Sequence, residues 1–147
     1  MPSDFVPAAF AVPAGLSGPG FILRPLTADD NPRDYAAWTS SVDHIHATPG
    51  FAGRPWPCEM SLEENLGDLQ GHAEDFAQRR GFTYTVIEGD DVIGCVYVYP
   101  SEAPGFDADV RSWVRADRAS LDVALFQAVS QWLADAWPFS SIDYAAR

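Results

Sequence analysis

The distribution of apolar and polar positions along the chain predicts a mixture of strands and helices. Runs of β-branched and aromatic residues predict strands at residues 21–26, 82–88, 92–99, 109–115 and 141–145. Apolar residues recur at helical spacing in three segments, from Pro32 to about His46, from Ser61 to about Arg80 and from Ala119 to Ala136. The predicted order is β-α-α-β-β-β-α-β, which favours an α+β fold class.

Local signals set the boundaries of these elements. Gly89-Asp90-Asp91 separates two predicted strands at the spacing of a tight hairpin. Ser61 followed by Glu64 is a capping-box pattern that opens the second helix. Gly81 is expected to close that helix, and Pro138 to stop the last one.

The composition is that of one globular domain. A length of 147 residues allows one sizeable core, and 47% apolar against 20% charged residues excludes a disordered chain. Residues 1–20 carry an apolar run that prolines interrupt, without a basic start. We therefore interpret residues 1–20 as a flexible lead-in and residues 21–147 as the domain. Without an export signal or a run of ~20 apolar residues, the expected location is the cytoplasm.

The charge balance narrows the choice of ligands. The net charge of −12 argues against nucleic acid and anionic membranes, because both require clustered cations. The chain contains nine arginines and no lysine. An anionic ligand would therefore be bound by arginine, by backbone N–H groups or by a helix N-terminus.

Histidine and cysteine give no pattern of a metal site or a nucleophile. His44 and His46 are two residues apart, so they do not share a helix face, and no third ligand has suitable spacing. Cys58 and Cys95 are too few for a disulfide framework, and neither has an evident activating base. We therefore expect no metal and no catalytic cysteine.

Residues 20–147 resemble the GNAT superfamily of N-acetyltransferases in the order of their segments. FILRPLTADD is similar to the opening strand and helix cap of these enzymes. IEGDDVIGCVYVYP looks like their central hairpin, and VRSWVRADRASLDVALFQAVSQWL occupies the place of their acyl-CoA-binding strand, loop and helix. The resemblance implies a mixed, mainly antiparallel sheet flanked by helices.

The resemblance also implies acetyl-CoA as co-substrate. In the family, the strand before the long helix binds the pantetheine arm through its backbone, and a glycine-containing loop wraps the pyrophosphate at the helix N-terminus. The matching residues of this chain, which we predict to bind the cofactor, are Trp113, Val114, Arg115, Arg118, Ala119, Ser120 and Asp122.

The phosphate loop of this chain departs from the family pattern. Ser120, Leu121 and Asp122 stand where the family has Gly-x-Gly, and Asp122 places a carboxylate in the first helical turn. Ser120 suits a helix N-cap, and Asp122 complements the helix dipole but repels a pyrophosphate. Arg115 and Arg118 could compensate by binding the phosphates, or they could pair with Asp117 and Asp122 and close the site.

Acetylation of an amine needs a base, which in the family is often a carboxylate on the cofactor-binding strand. Asp109 is the predicted catalytic base. Asp107 and Glu102 are weaker alternatives, and exposed aspartates at a strand entrance are the competing interpretation. The family's tyrosine that protonates the leaving thiolate has no positional match, because the sequence stops after the fifth family strand. A second copy of the chain could cover the sheet edge that this leaves.

Residues around the loop that follows the first helix are expected to contact the acceptor. We predict Trp38, His44 and Trp56 as substrate-binding residues, because the family's first helix and its following loop form part of the acceptor cleft. The alternatives are that Trp38, Phe51 and Trp56 attach the loop to the core and that His44 is an ordinary residue at a helix end.

Two main functional hypotheses follow, beside a third, that the chain is a purely structural or oligomerising module. The first is an N-acetyltransferase that transfers an acetyl group from acetyl-CoA to a small-molecule or peptide amine. The second is a GNAT-like domain without catalytic activity that binds a ligand or a partner protein.

Overall fold

The structure is a computed structural model, and it describes residues 4–147. Within these residues the sheet has six strands that lie side by side in chain order. Strands β1 to β6 span Leu16–Gly18, Phe21–Pro25, Phe82–Glu88, Asp91–Pro100, Ala108–Val114 and Ile142–Tyr144. Neighbouring strands are antiparallel except β5 and β6, which are parallel. The predicted α+β class and the mixed, mainly antiparallel sheet are confirmed.

The helices between the strands follow the predicted segments with shifted ends. Within residues 4–147 they are α1 to α4, spanning Asn31–Thr39, Val42–His46, Leu62–Ala77 and Asp122–Ala136. The first predicted helix is divided into α1 and α2 because Ser41 has a non-helical backbone (φ −134°). The Ser41 hydroxyl accepts a hydrogen bond from the backbone N–H of Ala116 at 2.8 Å. This bond links the break to the segment after β5.

Helix α3 begins at the predicted capping box but ends earlier than expected. The Ser61 Oγ accepts from the Glu64 N–H at 3.0 Å, and the Glu64 carboxylate accepts from the Ser61 N–H at 2.9 Å. At the other end, Arg79 and not Gly81 adopts the left-handed conformation (φ 59°). Gly81 is needed for a different reason, since a Cβ atom there would collide with the ring of Tyr99.

The N-terminal segment is packed, which corrects the expectation of a flexible lead-in for residues 4–20. Val6 is only 2% exposed and belongs to the main core. The Tyr84 hydroxyl donates to the Pro13 carbonyl at 2.6 Å, and β1 pairs with β2. The segment had no clear periodicity because prolines interrupt it, and tertiary packing fixes it instead. Residues 1–3 lie outside the described part of the chain.

Two apolar clusters cover the two faces of the sheet. Along β4, Val96 and Val98 face the cluster that includes helix α4, while Cys95, Tyr97 and Tyr99 point to the face covered by α1, α2 and α3. No helix among residues 4–147 is long and apolar enough to cross a membrane.

The long helix α4 begins later than predicted. Residues Ala116–Leu121 form a 3-10 turn that leads directly into the helix at Asp122. Ser120 lies inside this turn and does not act as the N-cap, so that expectation was wrong. Arg115 and this six-residue turn therefore separate β5 from α4 in place of a glycine loop.

Candidate functional site

A cavity of about 310 Å³ opens on the sheet face that α1 and α3 cover. Its floor is formed by alternate residues of β4 and β5, and the loop after α2 closes one side. The aromatic part of its lining consists of Phe51, Trp56, Tyr97 and Tyr99. The ionisable part consists of Asp34, Asp68, Asp109, Arg54, Arg111 and His72. The volume and mixed lining suit a small organic ligand or the end of a peptide.

Asp109, the predicted base, lines this cavity on β5. Its carboxylate accepts a hydrogen bond from the Arg111 guanidinium at 2.7 Å, and both side chains are about a quarter exposed, at 29% and 25%. The two residues are two apart on one strand, so they share a face. Asp107 instead accepts from the backbone N–H of Ser140 at 2.7 Å. Of these two carboxylates, Asp109 alone lines the cavity.

Asp34 is the most buried carboxylate of the lining, at 5% exposed. The Asn65 amide donates to its Oδ2 at 3.1 Å and to the Asn31 side chain at 2.8 Å. Burial raises the pKa of the Asp34 carboxyl from 3.8 to about 6, against the opposing hydrogen bond from Asn65. Near neutral pH this carboxyl is therefore mostly ionised, but it is more easily protonated than an exposed aspartate.

His72 reaches the cavity from α3 and takes part in a polar chain with β4. Its Nδ1 lies 2.8 Å from the Tyr99 hydroxyl, which donates to the Asp75 carboxylate at 2.9 Å. Burial lowers the pKa of His72 below 6.5, although the charges of Asp68 and Asp75 counteract part of this effect. Burial therefore favours the neutral form of the His72 imidazole.

Neither cysteine has the surroundings of a nucleophile. Cys95 lines the cavity but is buried, and burial raises the pKa of its thiol well above 9.0. Cys58 is exposed and lies outside this cavity.

The three predicted substrate-binding residues lie in different places. Trp56 lines the cavity, and its ring also packs against Trp38 and Trp113, with centroid distances of 5.5 and 6.2 Å. Trp38 is 1% exposed in the core beneath it, where its indole N–H donates to Asn65 at 3.1 Å. His44 lies outside the cavity, in a separate shallow depression beside Ala116.

The strand predicted to bind the cofactor is β5. Its last pair with β6 joins Val110 to Tyr144, and β5 then continues to Val114 without a partner in β6. The side chains of Trp113 and Val114 are buried on opposite faces of the sheet. The group of β5 that faces this gap is therefore the strand backbone. Ala119 and Ser120 lie in the turn that follows.

The two arginines predicted for the phosphates are engaged in ion pairs on the protein. Arg115 Nε lies 2.9 Å from Asp117, and Arg118 lies 2.8 Å from Glu88. The carboxylates of these pairs are 62% and 36% exposed, so water screens both pairs. Of the pairs considered as the alternative to phosphate binding, Arg115 with Asp117 is present, whereas Arg118 pairs mainly with Glu88 and Asp122 pairs with Arg147.

Arg147 fills the gap between β5 and α4. Its Nε lies 2.6 Å from Asp122 Oδ2, and its Nη2 donates to the backbone carbonyl of Ser112 at 2.8 Å. The guanidinium lies 5.6 and 5.7 Å from the ring centroids of Phe126 and Tyr144. Only 3% of this side chain is exposed.

Solved structures share this arrangement of strands and helices. RimL, a ribosomal L7/L12 alpha-N-protein acetyltransferase, superposes with a TM-score of 0.62 at 13% identity, over 82% of this chain and 64% of its own. RimJ of Mycobacterium smegmatis, in complex with CoA-disulfide, matches at 0.63 and 15% identity, over 90% and 66%. The microcin C7 self-immunity acetyltransferase MccE, in complex with acetyl-CoA and AMP, matches at 0.62 and 11% identity, over 84% and 67%. All three are acetyltransferases of the GNAT type. The chain has the GNAT fold.

The match to the GNAT fold rests on structure and not on sequence. No family model matches the chain, and no curated protein matches it. The chain spans about two thirds of the length of the three GNAT structures, between 64% and 67%.

The GNAT fold implies acetyl-CoA, and in this structure the side chain of Arg147 lies in the cleft predicted for it, between β5 and α4. Arg147 lies against the backbone of β5 through its bond to the Ser112 carbonyl, at the place where the resemblance predicts the pantetheine arm. Asp122 adds a carboxylate at the start of α4, and its Oδ1 is buried without a hydrogen-bond partner among residues 4–147. Binding of acetyl-CoA in the predicted cleft would require Arg147 to move.

Sequence reasoning missed several residues of this GNAT-fold site. Asp68, His72 and Asp75 recur at helical spacing on α3, beside the apolar stripe that we used to identify the helix. Tyr97 and Tyr99 alternate on β4 and therefore share one face. These two spacings are the signals that could have revealed a polar face on α3 and another on β4. Only the packing of α3 against β4 brings the two faces together.

Proposed function

We propose that this protein is an N-acetyltransferase that transfers an acetyl group from acetyl-CoA to an amine held in the cavity. The observation that carries the proposal is that the cavity and the cleft share one strand. Asp109 and Arg111 line the cavity on β5, directly beside the point where β5 continues without β6. In this arrangement, an acceptor and a donor could meet across the same strand.

The cavity offers groups that suit a protonated amine attached to a carbon skeleton. Asp34, Asp68 and Asp109 provide carboxylate oxygens, which accept hydrogen bonds from an ammonium group. Phe51 and Trp56 provide apolar ring surface for the skeleton. The cavity volume of about 310 Å³ favours a small molecule or the terminal residue of a peptide over a folded protein surface.

Bound acetyl-CoA supplies the acetyl group as a thioester. The protein's own task is to orient the amine and to remove a proton from it, because an ammonium nitrogen has no free electron pair. Asp109 remains the sequence-based prediction for this base. Its bond to Arg111 already uses one carboxylate oxygen, which leaves the other for the amine.

A second candidate function is a GNAT-fold domain that binds an amine or a partner without acetyl transfer. The observation that favours it is the buried pair of Arg147 and Asp122 in the cofactor cleft. In this case the cavity would bind its ligand in the same way, while the cleft would stay closed.

A transfer assay distinguishes the two functions. The full chain is incubated with acetyl-CoA and pooled amines, including short peptides, and mass spectrometry detects acetylated products while a thiol reagent detects released CoA. The first function predicts a product and its loss in Trp56→Ala. Ile22→Ala, at a position on β2 that is 46% exposed, is the matched control. Calorimetric heat with an amine, but no heat with acetyl-CoA for either the natural chain or Arg147→Ala, would support the second function and overturn the first.

A further inference from the structure

A chain of three polar side chains leads from the cavity to the protein surface. His72 lines the cavity, and its Nδ1 lies 2.8 Å from the Tyr99 hydroxyl. Tyr99 donates to Asp75 Oδ2 at 2.9 Å, and the Asp75 side chain is 30% exposed. The other Asp75 oxygen lies 3.1 Å from Arg80 Nε. A group in the cavity is thus connected to solvent through two hydrogen bonds.

The hydrogen-bond directions assign the tautomer of His72. A tyrosine hydroxyl has one proton, and here Tyr99 donates it to Asp75. The Tyr99 oxygen must therefore accept from His72 Nδ1, which carries the imidazole proton. Thr83 Oγ1 also lies near this nitrogen, at 3.3 Å. His72 Nε2 then carries a free electron pair, and it has no hydrogen-bond partner among residues 4–147.

We propose that His72 Nε2 removes the proton from the amine bound in the cavity and that Tyr99 and Asp75 carry the positive charge away from it. This inference rests on the proposed acetyl transfer and names the base of that reaction. The amine N–H bond breaks, its electron pair stays on nitrogen, and the proton binds Nε2. The Nδ1 proton moves to the Tyr99 oxygen, and the Tyr99 proton moves to Asp75, which releases it to water.

The surroundings of His72 suit a base that works near neutral pH. The charged and titratable groups that face it are Asp68 and Asp75 from α3 and Tyr97 and Tyr99 from β4. Burial keeps the free imidazole neutral and ready to accept a proton, whereas the two carboxylates stabilise the imidazolium after transfer. His72 would be the catalytic residue, and Tyr99 and Asp75 would be positioning residues.

Nitrogen NMR of the histidine side chains tests the arrangement without any substrate. The difference between the natural chain and His72→Gln assigns the His72 signals among the three histidines. We expect the Nδ1–H tautomer in the natural chain and a mixture of tautomers in Tyr99→Phe, which cannot accept a hydrogen bond. Asp75→Asn should lower the His72 pKa because it removes a carboxylate. A predominant Nε2–H tautomer in the natural chain would overturn the inference.

Kinetics then test the role in catalysis. His72→Gln should lower kcat/KM for a basic amine by about 100-fold or more near pH 7. It should also remove the rise of kcat/KM with pH that reports His72 deprotonation. For an acceptor that is already neutral at pH 7, such as an acyl hydrazide, kcat/KM should fall far less, because no proton has to be removed before attack. If His72 had a merely structural role, His72→Gln would lower kcat/KM equally for both acceptors. That result would contradict the inference.

Two further variants separate this inference from the proposed function. Ile22→Ala, at an exposed position on β2, changes no residue of the proton path and should retain the pH profile of the natural chain. If Asp109→Asn abolishes transfer and His72→Gln does not, the base is Asp109 and the inference fails while the function stands. If neither the natural chain nor Arg147→Ala acetylates any amine, the proposed function fails and the role of His72 fails with it.

Discussion

Arg147 Nε lies 2.6 Å from Asp122 Oδ2, and the two side chains are only 3% and 17% exposed. This pair joins the segment after β6 to the first turn of α4, across the gap that β5 leaves beyond Val110. The same guanidinium binds the Ser112 carbonyl on β5. The pair therefore stabilises the closed cleft and competes with any anionic ligand at the helix start.

We expect the pair to contribute strongly to stability. Arg147→Ala should lower the free energy of unfolding by about 3 kcal/mol, because it leaves the Asp122 carboxylate buried without its partner. The double variant Arg147→Ala/Asp122→Asn should be more stable than Arg147→Ala alone, since the unpaired charge is gone. Urea denaturation measures both differences. Equal stability of the two variants would show that the pair is not coupled.

We also expect the pair to control acetyl-CoA binding. Arg147→Ala/Asp122→Asn should bind acetyl-CoA at least about tenfold more tightly than the natural chain, because the cleft is emptied and the repelling carboxylate is removed. Arg147→Ala alone should gain less affinity for acetyl-CoA, since the Asp122 carboxylate then faces the phosphates. Calorimetric titration measures the affinities. Weaker binding by the double variant would mean that Arg147 itself binds the cofactor.

The buried carboxyl of Asp34 predicts a pH-dependent stability difference. Its pKa is raised by burial from 3.8 to about 6, so the folded state holds this proton more tightly than the unfolded state. The contribution of Asp34 is therefore most favourable below pH 4 and is lost as the pH rises to 6. Asp34→Asn should match the natural chain near pH 4 and exceed its stability at pH 7 by on the order of 2 kcal/mol.

The measurement for Asp34 is denaturant unfolding at several pH values. Asp43→Asn, at an exposed position in α2, removes the same charge and serves as the control. A stability difference for Asp34→Asn that does not change between pH 4 and pH 7 would contradict the assignment.

The close contact between Gly81 and Tyr99 predicts a specific effect of a small substitution. Gly81→Ala would place a methyl group against the Tyr99 ring and should displace its hydroxyl from His72 and Asp75. We expect a loss of about 1–3 kcal/mol in stability and a shift of the His72 imidazole signals in NMR spectra. Gly67→Ala on α3, where a methyl group meets open space, is the control. Unchanged His72 signals in Gly81→Ala would contradict the predicted displacement.

The packed N-terminal segment predicts that Val6 contributes to the core. Val6→Ala should lower the free energy of unfolding by about 1–2 kcal/mol, since the side chain is 2% exposed among core residues. Val123→Ala, at a position that is 51% exposed, should change stability by less than about 0.5 kcal/mol. Thermal or urea denaturation measures both. If Val6→Ala changed the free energy of unfolding as little as Val123→Ala, the N-terminal segment would be only loosely attached to the core.

Much of the fold could be predicted because its signals are local. The hairpin at Gly89, the capping box of Ser61 and Glu64, and the apolar stripe of α4 each involve residues a few positions apart. The candidate site was predicted less completely. Asp109 and Trp56 do line the cavity, whereas Trp38 and His44 lie outside it. Spacing along the chain does not decide whether an aromatic residue on a helix faces a cavity or the core.

The sequence by itself determined the order of strands and helices, because each element depends on periodicity and capping within a short stretch of chain. Tertiary structure alone decided which distant side chains meet. Arg147 and Asp122 are 25 residues apart, and His72 and Tyr99 are 27 apart. Such contacts depend on how the elements pack, since a side chain's partner is set by the crossing of elements and not by its neighbours in the chain. The closed cleft and the polar chain of His72 both arise at this level.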